Sequence, residues 1–214
     1  MNFFKKTWRF FLRRYYNYRL MLEHPGISIR GKGMLIACKC KLTSNAELTI
    51  FIEAGSVISH CTINVSGHHN QLHIPSTVNL HDVTFTFEDD NNQIKIGKYT
   101  SIEGRVEFCA CESKHIIVGE GCMFSHDISV RTTDSHPILD AEGKRINEAQ
   151  DVVIGNRVWV GFQSVILKGV SVPDDCIIGA RSVLTSSIQI PPHSLIVGQP
   201  GMVIRENVTW RRRR

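Results

Sequence analysis

The chain has 214 residues, enough for one domain, and its formal net charge of +5 is made at its ends: six Lys/Arg stand in residues 1–22 without an acid among them, and four more are Arg211–Arg214. With those ten set aside the body carries 15 basic against 20 acidic residues, which argues against a nucleic-acid-binding body. No apolar stretch approaches the roughly 20 residues that span a bilayer, no clean h-region precedes a small-residue cleavage site, and the seven cysteines, odd in number, include no Cys-x-x-Cys pair, so small buried thiols in a reducing cytoplasm are expected.

Residues 3–22 read as a helix with Phe4, Trp8, Phe11, Tyr15, Tyr18 and Leu22 along one side and Lys5, Lys6, Arg9 and Arg13 largely off it. Such a basic amphipathic helix either lies in a membrane interface or caps an exposed β edge. His24-Pro25-Gly26 ends it, because the residue before proline is driven out of the α region, and residues 1–25 are set apart as a first segment. From Ile27 to Phe87 come short alternating runs, such as Leu48/Ile50/Ile52, Ile63/Val65 and Val83/Phe85/Phe87, separated by Gly, Asn, Ser and His. They read as irregular coils. His68, His69 and His73 have no carboxylate or cysteine close in sequence and are read as solvated turn residues, not metal ligands.

A period of six then emerges, at Ile96, Ile102 and Phe108 and again at Val118, Phe124 and Val130, the ten-residue step between the two sets predicting a small insertion around Cys111–His115. After a gap it runs unbroken through Ile154, Val160, Ile166, Val172, Ile178, Leu184, Ile190 and Ile196, with a second inward position at Val158, Ser164, Val170, Cys176 and Ser182. A strand repeats every second residue and a helix about every 3.6, so a strict six suits a chain that runs straight, turns a corner and repeats. That is the hexapeptide pattern of a parallel β-helix, three hexapeptides to an 18-residue coil, stacked at about 4.8 Å. The fold class is all-β: residues 26–204 form the β-helix and 205–214 a basic tail. Carried through the gap, the register would put His136, Glu142 and Glu148 at the aliphatic corner, where polar side chains cannot line an apolar prism. Residues 131–153 are therefore expected to leave the prism as a loop, the place where a rigid scaffold presents a site.

The loop carries Asp134-Ser-His136-Pro137-Ile138 and Gly143-x-Arg145-Ile146-Asn147; the next coils carry Val158-Trp159-x-Gly161 and Ile166-Leu167-Lys168-Gly169-Val170, and the chain closes on Gly198-x-Pro200-Gly201-x-Val203-Ile204-x-Glu206-Asn207-x-x-Trp210. In this set, from about Ile94 to Trp210, the chain resembles the hexapeptide-repeat acyltransferases, and within them the bacterial polysialic-acid and capsule-sugar O-acetyltransferases. The resemblance implies a left-handed coil, a homotrimer with sites between subunits, acetyl-CoA as co-substrate, and acetyl transfer to a hydroxyl of a sugar or surface polysaccharide. It assigns general-base work to His136, whose side-chain type has its unperturbed pKa nearest neutrality, and places Trp159 at the thioester, as an indole N–H donor beside competing backbone donors. Phe162, Ala180 and Thr185 match cofactor contacts. Ser186 stands where some relatives carry a lysine for the nucleotide phosphates, so Lys168 or Arg205 are the candidates for that role. Asp134, Arg131 and Arg145 are candidates for the acceptor, Asp134 equally for orienting His136 or capping the loop. No metal and no nucleic acid is expected, and His126 is the next candidate base. The rival readings are N-acylation of an amino sugar, a γ-type carbonic anhydrase, whose zinc-binding histidine spacing is missing, and a non-catalytic β-helix module, possible peripheral membrane contact being left to the first helix.

Overall fold

An aliphatic residue that must point inward every sixth position forces the backbone to bend after each short strand, and the computed structural model, which describes residues 15–213, is a parallel β-helix of about eight coils with three walls. Ile154, Val160, Ile166, Val172, Ile178, Leu184 and Ile196 are all at most 1% exposed, so the six-residue register does fill the interior. Ile190 is the exception, only partly buried. The second inward position is also buried throughout, and its serines are satisfied within the prism: the Ser164 and Ser182 hydroxyls donate to the Gly179 carbonyl at 3.0 and 2.7 Å.

The first wall runs from Ile27–Gly31 through Leu48–Ile52, Asn70–Ile74, Gln93–Ile96, His115–Val118 and Val152–Ile154 to Ser171–Val172. The second wall includes Met123–Phe124, Trp159–Val160, Ile177–Ile178 and Leu195–Val197, and an antiparallel strand, Met202–Arg205, closes it. The third includes Ser129–Arg131, Val165–Ile166 and Val183–Leu184, while the long strands Asn79–Glu88 and Ser101–Cys111 each bend from the second wall into the third. Between the second and third walls every coil turns on a left-handed residue: Ala37, His60, Asp82, Arg105, Asp127, Gln163 and Arg181 have φ between 45° and 59°.

Two expectations are corrected by the strand registers. Residues 27–87 form stacked coils in register: from Leu48 on, Leu48 pairs with Asn70, Gln71 with Gln93 and Ile94 with Ile116, a coil of 22 residues, and the first coil departs from it, stepping 21 from Ile27 to Leu48 and 23 from Met34 to Val57. The 18-residue coil holds only after the loop, where Val153 pairs with Ser171 and Trp159 with Ile177. What reads as an insertion around Cys111–His115 is therefore one instance of an extension that recurs in each earlier coil. The extra residues lie along the third wall and its exit corner, where Ser101–Cys111 runs well past the length of Val165–Ile166. His73 also departs from its reading as a turn residue: it sits in Asn70–Ile74 with its ring stacked on Phe51, centroids 4.4 Å apart.

At the N-terminal end, residues 15–23 are helical and cover the first coil. Asn17 does the capping: its Nδ2 donates to the Gly33 carbonyl at 3.1 Å and its Oδ1 accepts from the Leu35 N–H at 3.0 Å, while Leu20 is buried. The edge is closed by this face, so Tyr15, Tyr18 and Leu22 point away and are about 60% exposed. Phe4, Trp8 and Phe11 of the expected stripe lie outside the described residues. Among the described residues no helix is long and apolar enough to cross a membrane.

Candidate active site

The excursion leaves the prism after Arg131, the last residue of Ser129–Arg131, and returns at Val152, so it is shorter at both ends than the expected 131–153. Its mouth is sewn shut by Thr132, which is fully buried: its N–H donates to the Cys109 carbonyl, its Oγ1 accepts from the Cys111 N–H at 2.9 Å, and its carbonyl accepts from the Gln150 N–H at 2.9 Å. Farther out the loop folds on itself as a small hairpin, with the Ile146 N–H donating to the Ile138 carbonyl and the Asp140 carboxylate accepting from the Glu142 and Lys144 amides.

Two ion pairs fasten this hairpin to the coils on either side. Arg145 makes a two-pronged contact with Glu112 on the preceding coil, at 2.6 and 2.9 Å, and Glu112 also accepts from the Thr133 hydroxyl at 2.6 Å. The Arg145 guanidinium accordingly holds the Glu112 carboxyl below its ordinary range. On the following coil Lys168 Nζ donates to Asp134 Oδ2 at 2.5 Å and to the Asn147 carbonyl at 2.8 Å, and this ammonium, followed by the Asn147 amide, keeps Asp134 below the usual carboxylate range. His136 lies between these two fasteners with its side chain exposed and its carbonyl held by Asn147 Nδ2 at 2.9 Å.

The other candidates fall on the second wall and its flanks. Trp159 is 38% exposed there, its ring centroid 6.2 Å from that of Trp210, which returns from the C-terminus. It lines a cleft of about 450 Å³ together with Ser101, Met123, Ser125, His126 and Arg212. At the corner following this wall Phe162 and Ala180 occupy the same position on successive coils, as Val160 pairs with Ile178. Gly161 keeps that corner close-packed: a Cβ there would meet the Ala180 amide nitrogen at 2.6 Å. By the same register His126 stands one coil before Phe162, its ring laid over Gly104, whose φ of +74° and bare Cα make the room.

The structure thus gathers Asp134, Arg145 and Lys168 around the loop and leaves Trp159, Phe162 and Ala180 on a different wall. Lys168, a candidate for the cofactor phosphates, is engaged with the loop, and Arg145 and Asp134, candidates for the acceptor, are engaged with Glu112 and Lys168. Arg131 turns toward a buried thiol, its Nη2 4.0 Å from Cys109 Sγ, and Thr185 hydrogen-bonds Ser187 at 2.9 Å. Arg205 is exposed on the closing strand Met202–Arg205. Glu112, Asn147 and Arg212 were not singled out from the sequence. Asn147 ends the Gly-x-Arg-Ile-Asn motif and so had a signal; Glu112 reaches Arg145 across 33 residues and had none.

Fold and repeat together define a left-handed parallel β-helix that carries hexapeptide repeats. The bacterial transferase hexapeptide family (six repeats) matches residues 151–186. In sequence the chain is similar to the polysialic acid O-acetyltransferase of Neisseria meningitidis, 34% identical over 136 residues, which are 60% of this chain and 62% of that protein. It is also similar to the polysialic acid O-acetyltransferase of Escherichia coli O1:K1 / APEC, 31% identical over 122 residues, 56% of this chain and 39% of that protein. The chain therefore matches less than two thirds of the length of either of these relatives. In structure it superposes on the polysialic acid O-acetyltransferase OatWY with a TM-score of 0.65 at 26% identity, covering 87% of this chain and 92% of that one. For the polySia-specific acetyltransferase NeuO the TM-score is 0.60 at 26% identity, covering 88% and 90%.

Proposed function

We propose that this protein is an acetyl-CoA-dependent O-acetyltransferase that transfers an acetyl group to a hydroxyl of a sugar or surface polysaccharide, working as a homotrimer. The observation that carries the reading is the separation of its two key side chains. His136 sits in a loop that Arg145–Glu112 and Asp134–Lys168 fasten to both adjoining coils at the corner between the third and first walls, whereas Trp159 stands on the second wall. One prism cannot fold the two together, but a neighbouring copy can bring its second wall against this loop, and a threefold ring closes such head-to-tail contacts. The exposed column of Phe162 and Ala180 beside Gly161 suits an extended pantetheine arm lying along the coil axis.

Acetyl-CoA supplies the acetyl group as a thioester. The His136 imidazole accepts the acceptor hydroxyl proton as that oxygen attacks the thioester carbonyl, and returns it to the departing thiolate, so that ester and free thiol form with no net proton change. The Trp159 indole N–H, from the neighbouring copy, is oriented toward the developing oxyanion. Support for the acceptor class comes from the names of the relatives above. The exposed Tyr15, Tyr18 and Leu22 support peripheral membrane contact through the N-terminal helix, which cosedimentation with anionic lipid vesicles tests.

Thiol release from acetyl-CoA, measured against sialic-acid polymers, other capsule or lipopolysaccharide sugars and amino sugars, tests the activity and the acceptor. His136→Ala is expected to lower kcat by about 10²–10⁴ with the melting temperature unchanged. Wild-type turnover by that variant, or an active monomer in sedimentation, would overturn the reading.

A further inference from the structure

Within the loop one side chain touches everything that matters. Asn147 is 8% exposed, and its carboxamide is fully used: Nδ2 donates to the His136 carbonyl at 2.9 Å and to Asp134 Oδ2 at 2.9 Å, while Oδ1 accepts from the Ile138 N–H at 2.7 Å and from Arg145 Nε at 3.3 Å. An amide offers two donors and two acceptor sites, and all four are spent. The first and third of these bonds bracket His136-Pro137-Ile138 from its two ends, so the peptide on which the imidazole hangs is gripped before and after the proline. The other two reach the members of the flanking ion pairs, Asp134 toward Lys168 and Arg145 toward Glu112, and the Asn147 carbonyl accepts from Lys168 as well. Both fasteners therefore converge on this residue, which is nearly withdrawn from solvent and is assigned no contact with a reacting group.

We propose that Asn147 is the positioning residue for His136, fixing the backbone that aims the imidazole into the cleft, with Lys168 and Glu112 serving to hold Asn147 in place. A general base must keep hydrogen-bond reach of the proton it abstracts, and displacement of about 1 Å can cost on the order of 10² in rate. The proposal rests on the reading of His136 as the base.

The test is a double-mutant cycle in steady-state kinetics on the full-length protein, with His136→Ala, Asn147→Ala and both together. Asn147→Ala is expected to lower kcat by about 10 to 10² with both KM values within about threefold. In the His136→Ala background it is expected to have no further effect, because residues that act as a unit are not additive. Multiplying losses would mean that Asn147 acts independently of His136 and would overturn the proposal, as would unchanged kcat in the single variant. Asn147→Asp retains the acceptor for the Ile138 amide but sets a second oxygen against the His136 carbonyl and Asp134; it is expected to lose at least as much as the alanine variant, and wild-type activity would count against the clamp. Hydrogen exchange gives a readout apart from turnover: the Ile138 amide should lose protection in Asn147→Ala while the prism amides keep theirs, and equal loss throughout would make Asn147 a general stability residue. If His136→Ala itself turns over like the wild type, the base assignment fails and the positioning role with it; a normal loss in His136→Ala with multiplying effects sinks the positioning role alone.

Discussion

The coils before the loop and those after it obey the same interior rule with different perimeters. Before it, 22 residues make a circuit, and Phe85, Phe87 and Phe108 fill the interior, Phe85 stacked on Phe108 with centroids 5.8 Å apart. The exit corner of these coils is braced from within by buried asparagines: Asn92 Nδ2 donates to Asn70 Oδ1 at 3.0 Å, and Asn92 Oδ1 accepts from the Lys114 amide at 3.1 Å. After it, 18 residues suffice, the interior is Ile, Val, Leu and small polar groups, and the asparagine brace is gone. The corner after the second wall shifts register once, at the bulge between Glu103 and Val106, and most of the change is taken up at the third wall and the corner leading back to the first. The excursion emerges at that same corner. A solenoid can evidently take up most of a change in circuit length at one corner, and the site is built where that freedom is greatest.

The sharpest way to break this comparison is to remove the aromatic filling. Phe108→Ala is expected to destabilise the fold by about 3–5 kcal/mol, read by denaturant unfolding, because the ring also meets Phe124 on the next coil at 5.8 Å. A loss under about 1 kcal/mol would mean that the wide coils collapse onto smaller side chains. Next in size is the corner brace: Asn92→Ala strips partners from the Lys114 amide and from the Glu88 carbonyl. About 1–3 kcal/mol is expected for leaving such partly buried groups unpaired and removing a buried side chain.

The smallest effect concerns pH at the junction. Glu112 and Asp134 both have carboxyl pKa values depressed in the folded chain, by Arg145 and Lys168 respectively. A depressed folded pKa contributes stability that is fully present above the unfolded value, about 4 for such groups, and is lost as the pH falls through the lower folded value. Hydrogen-exchange protection of the Ile138 and Ile146 amides should therefore stay level from pH 5 to 8 and fall only below about 4. Loosening near pH 6 would put the control of the loop elsewhere.

How much of this was legible depended on whether a pattern was local. Ile154 to Leu184 could be read because each inward residue follows the last by six and nothing intervenes. In residues 27–87 the same inward logic is present, but the third-wall strands alternate for two or more further residues, as in Val83/Phe85/Phe87, and the added corner displaces the next register by four. Alternation was visible there; the circuit length was not. At the site, His136 betrayed itself by occupying a corner that cannot accept it. The pairing of Asp134 with Lys168 spans 34 residues and exists only because one coil lies on another, so no spacing rule announces it.

The C-terminal strap changes how such a stack comes apart. Trp210 Nε1 donates to the Arg157 carbonyl at 2.6 Å, 53 positions earlier, and Arg212 reaches Ser101 Oγ and the Cys122 carbonyl at 2.5 and 2.9 Å, 111 and 90 positions earlier. A linear solenoid whose coils touch only their neighbours frays from its ends, one repeat at a time. Here the last coil cannot peel away until the strap has lifted off the coils on either side of the loop. Opening from the C-terminal end is thereby coupled to the middle of the prism, and the stretch that carries the excursion is expected to unfold as one cooperative unit.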